Sequence, residues 1–296
     1  MPRLPDMTVL TNPGSGSLFV GDNGVDATGV YGFDALALAI MKKDLFPYMS
    51  TNAGIGLHNS IFRGKNLGTS ISSAQNTAIQ NRTYDDIFVG DYWVIGGVNW
   101  RVAAVDYYYD IGDTNFNKGN VLVVPDSNLY NAPMNETNIA TGGYTGSAMF
   151  LGTEITVSET NYTGLANART TIASAFGNHV ASHRIICTNA TSDGKPSGWA
   201  WRDSDGIELM NETQVYGHQV WGIHDTGSAY DVGSQKTQLP LFALAPQFLN
   251  TRGTYWLQDV ASAPAFARVG YYGNADYSYA SYALGVRPVV TLTYTS

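Results

Sequence analysis

Asp203, Asp205, Gly206 and Glu212 stand at the third, fifth, sixth and twelfth places of a calcium-loop pattern. The first place is Trp201, so one hard oxygen ligand is missing from a site that needs six or more. His179 and His183 are four apart, the spacing that sets two imidazoles on one helix face. His183, however, opens HRIIC, which reads as entry into a strand, and no third ligand stands nearby; His218 and His224 are likewise unpaired in sequence. All four are expected to be surface or packing residues, and no metal or cofactor is expected. Asp85 with Asp86, Asp106 with Asp110, and Asp203 with Asp205 are the carboxylate pairs a glycosidase could use, but that chemistry depends on their separation across a cleft. No Gly-x-Ser-x-Gly elbow and no phosphate-cradling glycine loop occurs. Cys187 stands alone, which excludes an intrachain disulfide and any paired-cysteine oxidase chemistry. No catalytic residue is expected.

A different chemistry is concentrated in YYGNADYSYASY, residues 271–282. Tyr271, Tyr272, Tyr277, Tyr279 and Tyr282 place five of the chain's 19 tyrosines there. Tyrosine offers a large rigid contact area with one polar tip, and Ser, Gly and Asn add adaptable hydrogen bonding, as in antibody paratopes. Hiding five such rings would take much core, so a recognition surface is expected, with Tyr277 and Tyr279 on one strand face.

Charged residues make up only 14% of the 296-residue chain, and Gly, Thr, Ser, Asn and Tyr take up the difference, as in strand- and loop-rich extracellular or virion proteins. The net charge of −8 argues against a nucleic-acid partner, because phosphate binding rests on Lys and Arg. The opening MPRLPDMTVLTNPGSGS has no long apolar core and no window approaches the ~18 apolar residues of a span, so neither Sec export nor membrane insertion is expected. Five N-x-[ST] sequons, beginning at Asn81, Asn135, Asn161, Asn189 and Asn211, are read as Asn/Thr richness rather than glycan sites.

Three segments are expected to position these residues. Residues 1–60 form an N-terminal attachment or oligomerisation segment, with one helical stretch in which Phe33, Leu36, Ala37, Ile40 and Met41 share a face and Pro47 closes the element. A stripe that small cannot bury itself, so its apolar contacts are expected outside its own chain, in a homo-oligomer or a docked complex. Residues 61–83, poor in apolar side chains, read as a connector. From residue 84 the pattern becomes α+β. DDIFVGDYWVI and VNWRVAAVD form a hairpin at Gly96-Gly97, with a third strand at 120–126. Leu165, Ala168, Ile172, Ala175 and Phe176 mark one helix face capped by Gly177. HRIICTN, GWAWRD, IELM, LPLFALAP, TYWLQDV, AFARVGYY and GVRPVVTLTY follow as short strand-like stretches.

VGDYWVIGGVNWRVAAVD (89–106), DGIELMNETQVYG (205–217), TYWLQDVASAPAFARV (254–269) and YALGVRPVVTL (282–292) together resemble a C-type-lectin-like family common in phages, prophages and gut Firmicutes. The resemblance spans 84–296. It implies a C-type-lectin-like domain of short mixed and antiparallel strands whose opening and closing elements share a sheet. It also implies that the loop before Gly285-Val286-Arg287-Pro288 is the ligand surface, formed by Tyr271, Tyr272, Asn274, Asp276, Tyr277, Tyr279, Ser281 and Tyr282. Arg287 is assigned to the closing strand, bracing the loop through backbone carbonyls. The sugar-binding Glu-Pro-Asn tripeptide of true lectins is missing. In some relatives such loops are diversified by a retroelement that mutates adenines, and all twelve residues here are reachable from AAC codons.

The function expected from these observations is that of a bacteriophage virion surface protein, a head fibre, decoration or tail adhesin. It would be assembled in the host cytoplasm, attached to phage capsid or tail proteins, and bind a protein or glycan on the host cell. A tail-associated glycan hydrolase and a purely structural capsid-decoration protein are the alternatives.

Overall fold

In the computed structural model of the chain, Gly96 and Gly97 take φ of 62° and 77°. A two-residue hairpin turn with both centres at positive φ matches the twist of its strands and suits glycine above all other residues. The structure describes residues 18–22, 28–32, 53–188, 191–192, 195–196, 199–221 and 237–296.

The chain divides into two units, Met1–Ala53 and Gly54–Ser296. In the first, β1 (Leu18–Asp22) and β2 (Thr28–Gly32) pair antiparallel with Val20 opposite Val30. The attachment stripe Phe33, Leu36 and Ile40 lies outside the described residues.

The second unit is α+β and sheet-rich, with short helices. Its strands are β3 (Asn66–Gly68), β4 (Tyr92–Ile95), β5 (Val98–Val105), β6 (Asn120–Pro125), β7 (Tyr130–Ala132), β8 (Ile155–Val157), β9 (Thr160–Tyr162), β10 (His183–Thr188), β11 (Thr191–Ser192), β12 (Lys195–Pro196), β13 (Trp199–Ser204), β14 (Ile207–Leu209), β15 (Tyr255–Ser262), β16 (Ala265–Val269), β17 (Ala275–Tyr279), β18 (Leu284–Val286) and β19 (Pro288–Thr293). A six-stranded sheet runs β14-β19-β6-β5-β4-β3 and a five-stranded sheet runs β17-β16-β15-β18-β7, while β8-β9, β10-β13 and β11-β12 are two-stranded ribbons. The opening hairpin and the closing strand β19 therefore share one sheet, as expected. Val123 of β6 faces Val102 on one side and Val290 on the other.

The apolar runs of β5, β6, β15 and β19 are explained by burial on both faces. Val121, Val123, Trp256 and Val290 enter one core with Ile172 and Phe176 of the helix Ala166–Phe176. The alternate residues Leu122, Val124, Tyr255, Leu257 and Val289 enter a second core with Leu241 and Phe242 of the helix Pro240–Leu244. Strands covered on both sides read as continuous rather than alternating hydrophobic runs. Phe176 meets Trp100 and Trp93 edge-on, with centroids 5.5 and 6.5 Å away. Such pairs add about 0.5–1.5 kcal/mol beyond their burial.

Two expectations are corrected. The stretch 61–83 is not a connector, because it supplies the edge strand β3 and the helix Ser73–Gln80. That helix is fixed by a Ser72/Gln75 capping box and buries Ala78 and Ile79, while Gln75 also donates to Leu67 O and accepts from Trp93 Nε1. The preceding residues also belong to the second unit, since Asn59 exchanges two hydrogen bonds with the Val105 backbone. LPLFALAP is helical rather than strand-like, with Pro240 in the first turn, where its missing N–H costs nothing.

Candidate functional site

The closing stretch is divided between the two sheets. Gly285 and Val286 pair with β7, Pro288 begins β19, and Arg287 lies at the crossing. Its side chain is fully buried; Nε donates to Pro125 O at 2.9 Å and one terminal nitrogen to Tyr255 Oη at 3.2 Å. The guanidinium braces the crossing, on carbonyl contacts of the kind expected from the sequence. Its other terminal nitrogen makes no hydrogen bond.

Immediately before this crossing lies the tyrosine segment. Gly270 N–H donates to Asn274 O at 2.7 Å and Gly273, at φ 86°, donates to Gly270 O, closing the turn that carries Tyr271 and Tyr272. Strand β17 follows at the edge of the five-stranded sheet, and a second turn, closed by Tyr282 N–H to Tyr279 O at 3.0 Å, carries Tyr282. Alternation along β17 buries Ser278 and exposes Tyr277 and Tyr279, which lie opposite Ala267 and Ala265 of β16. Antiparallel partners share a face, so the two rings stand on the side of two small buried residues. Tyr271, Tyr272, Tyr277, Tyr279 and Tyr282 are 48%, 77%, 43%, 47% and 52% exposed. Four of them form edge-to-face pairs, Tyr271 with Tyr272 at 5.0 Å and Tyr279 with Tyr282 at 5.8 Å.

Tyr277 pairs with Trp221, 4.7 Å away and 40% exposed, a residue that sequence reasoning missed. The only sequence signal was a tryptophan in the polar, glycine-containing run GHQVWG. Trp221 is held from below. Its backbone N–H and that of Val220 donate to the Glu212 carboxylate at 2.9–3.0 Å, and Glu212 N–H donates to Asp259 Oδ2 at 2.6 Å. Both carboxylates are buried. Burial first, and then the charge of Glu212, push the Asp259 carboxyl up to about 8.

Two of the three polar residues expected in the site have internal duties. Asp276 pairs with Arg268 at 2.7 Å and accepts from Tyr277 N–H. Ser281 Oγ donates to Asn138 Oδ1 at 2.7 Å. Asn274 is exposed in its turn. The exposed face is thus mostly aromatic, and Asp276 and Ser281 are tied into the frame beneath it.

Several of the residues weighed for catalysis or metal binding are engaged elsewhere. Asp86 pairs with Arg63 and Lys65, and Asp106 accepts from Arg82 and Tyr84. Asp203 and Asp205 pair with Arg184 and Arg169. The calcium-like spacing is spread over β13, the following turn and a buried helix start, and among the described residues no three His, Cys, Asp or Glu side chains gather to hold a metal. His179 Nδ1 lies 2.9 Å from Thr293 O, and His183 is buried against Tyr108. His224 lies outside the described residues. Burial pushes the Cys187 thiol up to about 12, which leaves it un-ionised and unreactive at neutral pH.

Among the described residues, no helix is long and apolar enough to cross a membrane. The chain matches no protein-family model, no curated protein and no solved structure.

Proposed function

We propose that this chain is a non-enzymatic bacteriophage virion-surface protein that binds a ligand on the host cell through the aromatic face of residues 271–282. Its second unit is a C-type-lectin-like domain, and the N-terminal segment attaches it to capsid or tail proteins as a homo-oligomer. The observation that carries the proposal is the outward display of five tyrosines and Trp221 on and beside an edge strand. A folded protein would bury these rings if they served packing alone. Interface energy concentrates in a few aromatic or Arg anchors, and truncation of the best costs ~2 kcal/mol or more.

Tyr277→Ala combined with Tyr279→Ala tests the proposal, because both side chains point outward and their loss leaves the strand pairing intact. With an unchanged circular dichroism spectrum, adsorption of purified protein or particles to host cells should fall at least about tenfold. Undiminished adsorption would remove the site, and loss of binding on calcium chelation alone would favour a metal-dependent one.

A further inference from the structure

A cleft of about 670 Å³ opens between the loop around Phe116, the short helix Ala148–Leu151, the helix Ala166–Phe176 and the β10-β13 ribbon. It shares no lining residue with the tyrosine face. We infer that this cleft is a second binding site, and that its ligand is a short neutral saccharide.

Size is the first argument, since small-molecule sites span roughly 300–1,000 Å³. Charge is the second. The cleft is lined by two guanidiniums, Arg169 and Arg184, and two carboxylates, Asp203 and Asp205, and these ions are already matched. Arg169 Nε lies 2.5 Å from Asp205, and Arg184 reaches Asp203 at 2.8 Å. Each lining ion is thus paired, Arg184 with Asp113 as well, so no lone charge faces the cleft to select an anion or a cation. What remains is hydrogen-bonding capacity. A guanidinium has five donors and a carboxylate about four acceptor positions; Arg169 gives Nε–H to Asp205, and Arg184 gives three N–H groups to Asp113 and Asp203, so capacity remains on each. Vicinal hydroxyls, each a donor and an acceptor, fit such alternating planar groups.

The third argument is aromatic. Phe116 and Phe150 both line the cleft, so apolar ring surface accompanies the polar groups, and a pyranose carries the same combination of C–H face and hydroxyl rim. Pre-organisation is the fourth. Arg184 is gripped on its far side by both oxygens of Asp113, each at 2.8 Å, and the Arg169 guanidinium lies 5.8 Å over the Phe150 ring. Side chains fixed before the ligand arrives lose little entropy on binding.

The test uses the full chain, isothermal titration calorimetry, and neutral trisaccharides of glucose, galactose and N-acetylglucosamine as probes. At least one should bind with a dissociation constant of about 1 mM or below. Thr114 lines the cleft and is exposed, so Thr114→Trp fills the space without touching the core; it should weaken that binding at least about tenfold. Asp203→Asn, at a side chain 92% exposed, should weaken it severalfold with no change in unfolding temperature. The Tyr277→Ala, Tyr279→Ala double variant should bind the trisaccharide as the native chain does, which separates this site from the aromatic face. No heat from any neutral probe, retention of binding in a folded Thr114→Trp chain, or tighter binding of a sialylated or glucosamine trisaccharide would overturn the inference.

Discussion

Asp259 and Glu212 lie beneath Trp221, and the consequence of burying them together can be measured. An unfolded aspartate ionises near pH ~3.9, whereas burial and the Glu212 charge move this one to about 8. Between those values the native chain keeps a proton that the unfolded chain has released. Stability therefore falls as pH rises through that window and levels off above it. Asp259→Asn stays neutral throughout, and its amide oxygen can still accept the Glu212 N–H. Urea unfolding should show the variant more stable relative to the native chain at alkaline pH, with the advantage shrinking as the solution is acidified towards pH ~4. A difference that does not change with pH would contradict this account. The two carboxylates were present in the sequence as DGIELMNE and WLQDV, but 47 residues separate the partners, and nothing local joins them.

Among the elements, the hairpin, the helix Ala166–Phe176 and the closing strand were legible because each repeats its own period: Val/Trp/Ile alternation around Gly-Gly, and the 3.6-residue spacing of Ala168, Ile172 and Phe176. The helix Pro240–Leu244 was not. Five mostly apolar residues fit either period, and only its packing into the second core settles the matter. Two glycines make opposite predictions. At Gly96 a Cβ meets nothing within 4 Å, so Gly96→Ala should cost only the left-handed backbone strain, about 1–2 kcal/mol. At Gly285 an added Cβ would fall on the Asn128 amide and the Thr254 carbonyl, where the chain passes between sheets. Gly285→Ala should thus displace backbone, costing about 1–3 kcal/mol and shifting the neighbouring tyrosine turn. Thermal unfolding measures both costs. An unaltered near-ultraviolet spectrum and unchanged thermal unfolding in Gly285→Ala would refute the close-approach argument.

At the scale of the whole molecule, the six-stranded sheet closes within the second unit, because β19 lies between β14 and β6. Among the described residues, both cores are built from side chains of this unit. A chain beginning at Gly54 should consequently fold by itself, with a single cooperative denaturant transition. Removing Pro288–Ser296 from that chain should abolish the transition, since two strands would then lose their central partner. A Gly54–Ser296 chain that is molten, or a folded chain lacking β19, would each contradict this architecture.

The sequence by itself determined the α+β class, the hairpin with its glycine turn, the main helix and the candidate aromatic segment. These follow from local period and composition, which act over a few residues. It also indicated the side on which Tyr277 and Tyr279 emerge, because strand alternation is strict. Only the tertiary structure decided that residues 61–83 are an edge strand and a helix, that Arg287 marks a crossing between sheets, and that Trp221 joins Tyr277. Those outcomes rest on pairings between distant positions, such as Asn59 with Val105 and Glu212 with Asp259. Their energy comes from burying a polar group only where its partner already waits, and that condition is written in three dimensions rather than along the chain.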